Sequence, residues 1–279
     1  MLTIAGMGRE RFKRLLEVED VELPLARAAL LVAAEEYPVL DTRDYERRLD
    51  LMARAIRSEC PTTDVGPKCL AAINDRMFAV EGFRGNSEDY YDPRNSFLNE
   101  VLDRKLGIPI TLSIIYLELC WRTGVSAVGV GLPGHFIVLV DIGQLRYVDP
   151  FDRGAELDLP GCIAKFRQVH GASARFHPSM LAPVGRRQIL YRVLANLKKI
   201  YLERKDYCRE LAAIDRMLLL NPRGAVEYRD RAAVCQKIGF FGQACSDFRA
   251  YLDLAPDAAD ADDVRAALAA ALGRRTWSS

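Results

Sequence analysis

The segment LPGHFIVLVDIGQLRYVDPF, residues 132–151, sets His135 at the mouth of an apolar stretch and Asp149 near the end of the next. Cysteine hydrolases need a pair of this kind. The imidazole takes the proton of a nucleophile, and an acidic group holds the imidazole in place. A second constellation lies upstream in GFRGNSEDYYDPRN, residues 82–95. Tyr90, Tyr91, Asp92 and Asn95 could line a groove there, while Asp92 and Asn95 equally suit the satisfaction of backbone N–H groups in turns. Other chemistry has less support. His170 and His177 lack the cysteine or carboxylate company of a zinc site. No GxxxxGKS/T stretch is present, and neither a metal nor a nucleotide cofactor is expected.

Whether His135 meets Asp149 depends on strand pairing. VSAVGVGL, HFIVLVDI and LRYVD read as three short strands, with Gly143 and Gln144 at the hairpin and Pro150 as the stop. A two-residue loop sets position 149 opposite 138 and turns His135 to the other face. A three-residue loop, 142–144, sets it opposite 137. His135 and Asp149 then share a face as diagonal neighbours, about 7–8 Å apart between backbones and within side-chain reach. Alternation alone fits both registers.

The elements around these strands read as helices. LPLARAALLVAAEEY (23–37) is rich in alanine and leucine. After Asp41 and Thr42, the spacing of Leu49, Met52 and Ile56 makes an amphipathic helix. Gly66 and Pro67 open another, with Leu70, Ile73, Met77 and Val80 on one face. A helix with Phe97, Leu98, Val101, Leu102 and Leu106 inward follows the polar loop, and Gly107 can close it. Pro109 suits the first turn of the next, PITLSIIYLELCWRT, which is apolar on most sides and therefore central, and Gly124 ends it.

The last hundred residues repeat themselves. LLLNP ends at Pro222 and DLAP at Pro256, thirty-four positions later. At that offset Tyr207 matches Phe241, Ile214 matches Phe248, Leu218 matches Leu252 and Leu220 matches Leu254. Thirty-four is the period of the tetratricopeptide helix pair. Two periods fall below the usual minimum for a free stack, so residues 260–272 are expected to cap it.

The 279 residues carry 39 basic and 38 acidic side chains, a balance that does not point to a nucleic-acid surface or an anionic membrane patch and leaves room only for a small local basic one. No apolar run reaches membrane-spanning length. The N-terminus MLTIAGMGRERFKRLL lacks a signal-peptide pattern, and the seven cysteines form no C-x-x-C. A reduced, cytoplasmic protein is expected.

The stretch FRGNSEDYYDPRNSFLNEVLDRKLGIPITLSIIYLELCWRTGV, followed by GVGLPGHFIVLV and YVDPF, resembles a bacterial family of transglutaminase-like proteins associated with the invasion-regulator name SirB. The resemblance covers roughly residues 20–160, and a tetratricopeptide-like tail is usual in that family. It implies an α+β fold, with a helical N-terminal region and a transglutaminase- or papain-like central helix on a small antiparallel sheet. The expected organisation is a transglutaminase-like domain over 1–160, a connector over 161–186 and an all-α tetratricopeptide-like array over 187–279. It also favours the three-residue hairpin loop, because His135 and Asp149 match the family positions for base and orienting acid.

The same resemblance implies a nucleophilic cysteine at the N-terminus of the central helix, where free N–H groups and the helix dipole lower a thiol pKa. Here Pro109 or Ile110 holds that place. The nearest hydroxyls are Thr111 and Ser113. Cys120 lies eleven residues after Pro109, about 16 Å along a helix, near the end where the dipole opposes a thiolate. Its plainer reading is a small buried apolar residue. The expectation is a non-enzymatic interaction protein on a degenerate transglutaminase-like scaffold. Its helical repeats would engage a protein or peptide partner, and a groove beside Pro109 would be edged by Tyr90, Tyr91, Asp92 and Asn95. The competing expectation is a hydrolase or transamidase using His135 and Asp149 with Ser113, Thr111 or Cys120.

Overall fold

The structure is a computed structural model that describes residues 4–60 and 66–275. Two compact units divide it, residues 1–193 and residues 194–279.

The first unit begins with helices α1 (Ile4–Leu15), α2 (Leu25–Ala33), α3 (Thr42–Glu59) and α4 (Pro67–Asn74). Asp41 caps α3 by accepting from the Arg43 backbone N–H at 2.9 Å. The inward face of α3 is Leu49, Met52 and Ile56, all buried. The expected face through Leu70, Ile73, Met77 and Val80 holds only for the first three; Val80 is 58% exposed. The chain passes at Asp75 into a π-helical turn, Asp75–Val80. Each widened turn rotates later residues backward around the axis, and Val80 swings out to solvent.

Cys60, at the end of α3, and Cys69, in α4, form a disulfide with Cα atoms 5.3 Å apart. The expectation of uniformly reduced cysteines does not hold for this pair. The two positions read as separate helical segments, and only the antiparallel return of α4 against the end of α3 brings them together.

Strand β1 (Arg84–Gly85) pairs in parallel with β2 (Leu106–Gly107). Helix α5 (Leu98–Arg104) lies between them and ends earlier than expected, with Lys105 rather than Gly107 in the left-handed conformation (φ 60°). Lys105 is held there by Glu81 at 2.9 Å and by the Phe83 ring at 4.3 Å. Helix α6 (Pro109–Thr123) is buried from Pro109 to Cys120, and Gly124, at φ 84°, closes it.

A five-stranded antiparallel sheet packs beside α6. Its strands are β3 (Ser126–Val130), β4 (Ile137–Asp141), β5 (Leu145–Asp149), β6 (Ala155–Leu157) and β7 (Pro183–Val184), ordered β6-β5-β4-β3-β7. Asp141 pairs with Leu145 and Val138 with Val148, so Ile142, Gly143 and Gln144 form a three-residue hairpin loop. Two strands exceed the three expected. Residues 161–186, expected as a connector with some local structure, hold most of a helix and a sheet-edge strand. Helix α7 (Leu159–His170) packs Cys162 and Phe166 against Val130, Leu132 and Ile137, and β7 forms the sheet edge on β3.

Helix α8 (Arg186–Arg204) runs across the boundary between the units. The second unit continues with α9 (Tyr207–Leu220), α10 (Ala225–Lys237), α11 (Phe241–Leu254) and α12 (Ala261–Arg275). The start and end of α11 repeat those of α9 at the thirty-four-residue offset. Ile214 and its counterpart Phe248 are both buried, and Phe248 packs with Cys245, Tyr251 and Val264 of the terminal helix pair. Arg231 links neighbouring helices through Asp247 at 2.8 Å and Asp215 at 2.9 Å.

Candidate functional site around His135

The hairpin register brings the candidate base and acid together. Nε2 of His135 lies 2.8 Å from Oδ2 of Asp149. The Asp149 side chain is fully buried and serves several donors. Its Oδ1 accepts from the backbone N–H groups of Phe151 at 3.0 Å and Asp152 at 3.3 Å, which fixes the turn after β5. Its Oδ2 also accepts from Lys165 Nζ at 2.9 Å. Burial pushes the Asp149 carboxyl up. The hydrogen bonds and charges of His135 and Lys165 more than offset that, and hold it below the usual carboxylate range.

Lys165 has no place in the sequence expectations. It stands on α7 and also reaches Asp152 at 2.8 Å. One signal could have revealed it. Asp158, Leu159 and Pro160 carry the pattern of a helix start, and Asp158 does cap α7 by accepting from the Gly161 N–H at 2.8 Å. Phe151 was also missed; its ring packs edge-on to His135 at 6.0 Å and to Tyr90 at 6.4 Å.

The hydroxyl and thiol candidates are occupied elsewhere. Thr111 Oγ1 donates to the Asn95 carbonyl at 2.8 Å and accepts from the Ile108 N–H at 3.1 Å, so it caps its own helix. Ser113 Oγ points to the Phe136 carbonyl at 3.5 Å. Both side chains are fully buried. Cys120 is also fully buried, and burial pushes its thiol far above the ordinary range. None of these three side chains has a hydrogen bond to His135.

The upstream loop divides in two. Asn95 is fully buried and Asp92 nearly so, and Pro109 is buried at the start of α6. The Asn95 side chain donates to the carbonyls of Asp89 at 2.7 Å and Tyr90 at 3.3 Å, and accepts from Asn86 at 3.1 Å. Asp92 caps the turn at the Arg94 N–H and pairs with Arg94 and Arg104. Burial raises its carboxyl, but the Arg94 hydrogen bonds and the two guanidinium charges bring it below the usual range. Asn95 thus spends its side chain largely on turn backbone, and Asp92 on the Arg94 N–H and two guanidinium groups, so that both hold the loop together. Tyr91 is 49% exposed and meets Tyr90 edge-on at 5.3 Å. Burial pushes the Tyr90 phenol up.

A helix N-terminus beside a His–Asp pair on an antiparallel hairpin is the frame of a papain-like or transglutaminase-like fold, and comparison with known families agrees. The transglutaminase-like superfamily matches residues 43–195. The chain belongs to the transglutaminase-like superfamily. Thr111, Ser113, Cys120, His135, Asp149 and Lys165 all fall within the matched transglutaminase-like region. The tetratricopeptide repeat family matches residues 197–269, in the second unit. A UPF0162 protein of Xylella fastidiosa is 36% identical over 258 residues, covering 91% of this chain and 92% of that protein. A UPF0162 protein of Vibrio cholerae is 31% identical, covering 65% of this chain and 68% of that protein. F-box only protein 21 of Mus musculus is 31% identical over 137 residues, which cover 46% of this chain and 21% of that protein. Among the described residues no helix is long and apolar enough to cross a membrane.

Proposed function

We propose that this chain is a protein-binding module whose transglutaminase-like unit carries out no covalent catalysis. The observation that carries the reading is the start of α6. Pro109 and Ile110 stand where a thiolate would be stabilised, and the first hydroxyl beyond them, on Thr111, is committed to Ile108 and Asn95. The Asp149 carboxylate is shared between His135 and Lys165, which suits a buried structural latch. The repeats of the second unit supply the binding element, since stacked helix pairs present extended surfaces suited to peptides and partner helices.

The test is turnover. The full chain is incubated with glutamine-containing peptides plus an amine, and separately with a panel of esters and amides. Product formation at the rate of the buffer blank is expected. Turnover that disappears in His135→Ala would overturn the reading.

One observation favours a hydrolase or transamidase instead. The Ser113 hydroxyl bonds the carbonyl of Phe136, the residue next to His135. If Ser113 is the nucleophile, a fluorophosphonate probe labels it, and His135→Ala abolishes the label. Absence of that label leaves the binding reading standing.

A further inference from the structure

Arg192, on α8 within the first unit, is a half-buried arginine with no carboxylate beside it. Among the described residues it enters no ion pair, and the only ionisable side chain felt at its guanidinium is the Tyr90 phenol. Its Nη2 donates to the carbonyls of Leu132 at 3.2 Å and His135 at 3.0 Å. Its guanidinium carbon sits 5.3 Å from the centre of the Phe136 ring. These bonds engage a single nitrogen, and Nε and Nη1 make no hydrogen bond to a described residue.

Gly131 makes the placement feasible. A Cβ at that position would stand 2.4 Å from Nη1 of Arg192, so the guanidinium lies over bare backbone. Burial without a counter-charge disfavours the charged form, and the Arg192 pKa is lowered for that reason. No carboxylate is felt at the guanidinium. A guanidinium with donors still unused takes a carboxylate through a charge-assisted hydrogen bond. Tyr90, whose phenol is felt at the guanidinium, meets the Phe151 ring edge-on, and Phe151 in turn meets His135.

We propose that Arg192 anchors a carboxylate of the bound partner peptide next to Tyr90, Phe151 and His135. The inference rests on the binding reading above and names the chemistry that this part of the first unit recognises. One uncompensated positive charge matches a monoanion.

The chain has three histidines, so the His135 ring signals are readily assigned by comparison with His135→Gln. The full chain is titrated with Ac-Gly-Glu-Gly-NH2, with Ac-Gly-Gly-Gly bearing a free carboxyl end, with neutral Ac-Gly-Gln-Gly-NH2 and with inorganic phosphate. Saturable shifts of the His135 ring are expected with at least one carboxylate peptide and not with the neutral one. Which of the two binds separates an acidic side chain from a chain end as the source. Arg192→Met should raise the dissociation constant at least about tenfold, and Arg192→Lys less, since it keeps the charge. Should Arg192→Met fail to fold, Gly131→Ala is the second variant. It keeps the charge, pushes Nη1 aside and should weaken the same binding.

Equal response to neutral and anionic peptides, saturation by phosphate alone, or unchanged affinity in the folded variants would overturn the proposal. Those results leave the binding reading intact, whereas amide turnover would overturn that reading on its own assay.

Discussion

Lys165 and His135 approach the same oxygen of Asp149, at 2.9 Å and 2.8 Å. In a working nucleophile–base–acid set the carboxylate serves the imidazole. Here α7 brings an ammonium group to the same atom, and the backbone N–H groups of Phe151 and Asp152 take the other oxygen. Asp149 thereby ties β5, the turn after it, α7 and His135 into one knot.

Removing the knot should be costly. Asp149→Ala leaves Lys165 without one partner and the two turn N–H groups of Phe151 and Asp152 without an acceptor. A loss of about 3 kcal/mol is expected from urea unfolding at neutral pH. The pH dependence follows from the lowered carboxyl pKa. The folded state binds the proton more weakly than the unfolded chain does. The contribution of Asp149 is thus fully present above the unfolded value of about 3.9 and is lost as pH falls through the lower folded value. Unfolding curves for wild type and Asp149→Asn at pH 6, 4.5 and 3 check this. A gap that closes already between the first two would contradict it.

Thr111 is expected to matter for folding rather than for reactivity. Thr111→Val deprives the buried Ile108 N–H and Asn95 carbonyl of their shared partner. The cost should be about 1–3 kcal/mol by chemical denaturation. A variant as stable as wild type would show that the Thr111 hydroxyl contributes nothing to the start of α6.

Thiol chemistry should be confined to one position in the native state. Cys120, Cys162, Cys235 and Cys245 are buried and Cys208 is exposed. Brief alkylation with iodoacetamide, read by peptide mass spectrometry, is expected to modify Cys208 first and to leave Cys120 untouched until the chain unfolds. Rapid native labelling of Cys120 would run against the buried, far-raised thiol.

The Cys60–Cys69 bridge closes a loop across a sequence separation of nine. Loop-closure entropy for a ring of that size is worth on the order of 2–3 kcal/mol. Urea midpoints with and without a phosphine reductant should differ accordingly, and Cys60→Ser should reproduce the reduced curve. Coincident curves would mean that the bridge adds no stability.

Much of this organisation was legible because it is periodic. The central helix announced itself through Pro109, its apolar run and Gly124, and the thirty-four-residue offset through Pro222 and Pro256. The hairpin register was narrowed to two choices by the face that each gives His135. What stayed hidden has no period to read. Strands β1, β2 and β7 are two residues each, too short for alternation, and exist only because a distant neighbour supplies their hydrogen bonds. Lys165 and Arg192 look like surface charges along their helices. Their roles come from packing that returns each helix to the hairpin, Lys165 onto Asp149 and Arg192 onto the carbonyls of Leu132 and His135. The π-helical turn after α4 was invisible for a related reason, since a change of helical pitch leaves no mark in composition.

The bond from Thr111 to the Asn95 carbonyl has a mechanical corollary. Asn95 grips the backbone of Asp89 and Tyr90, so the aromatic pair Tyr90 and Tyr91 is geared to the first turn of α6. The rim cannot swing while that turn stays wound. A change that unwinds the turn therefore frees both rings together.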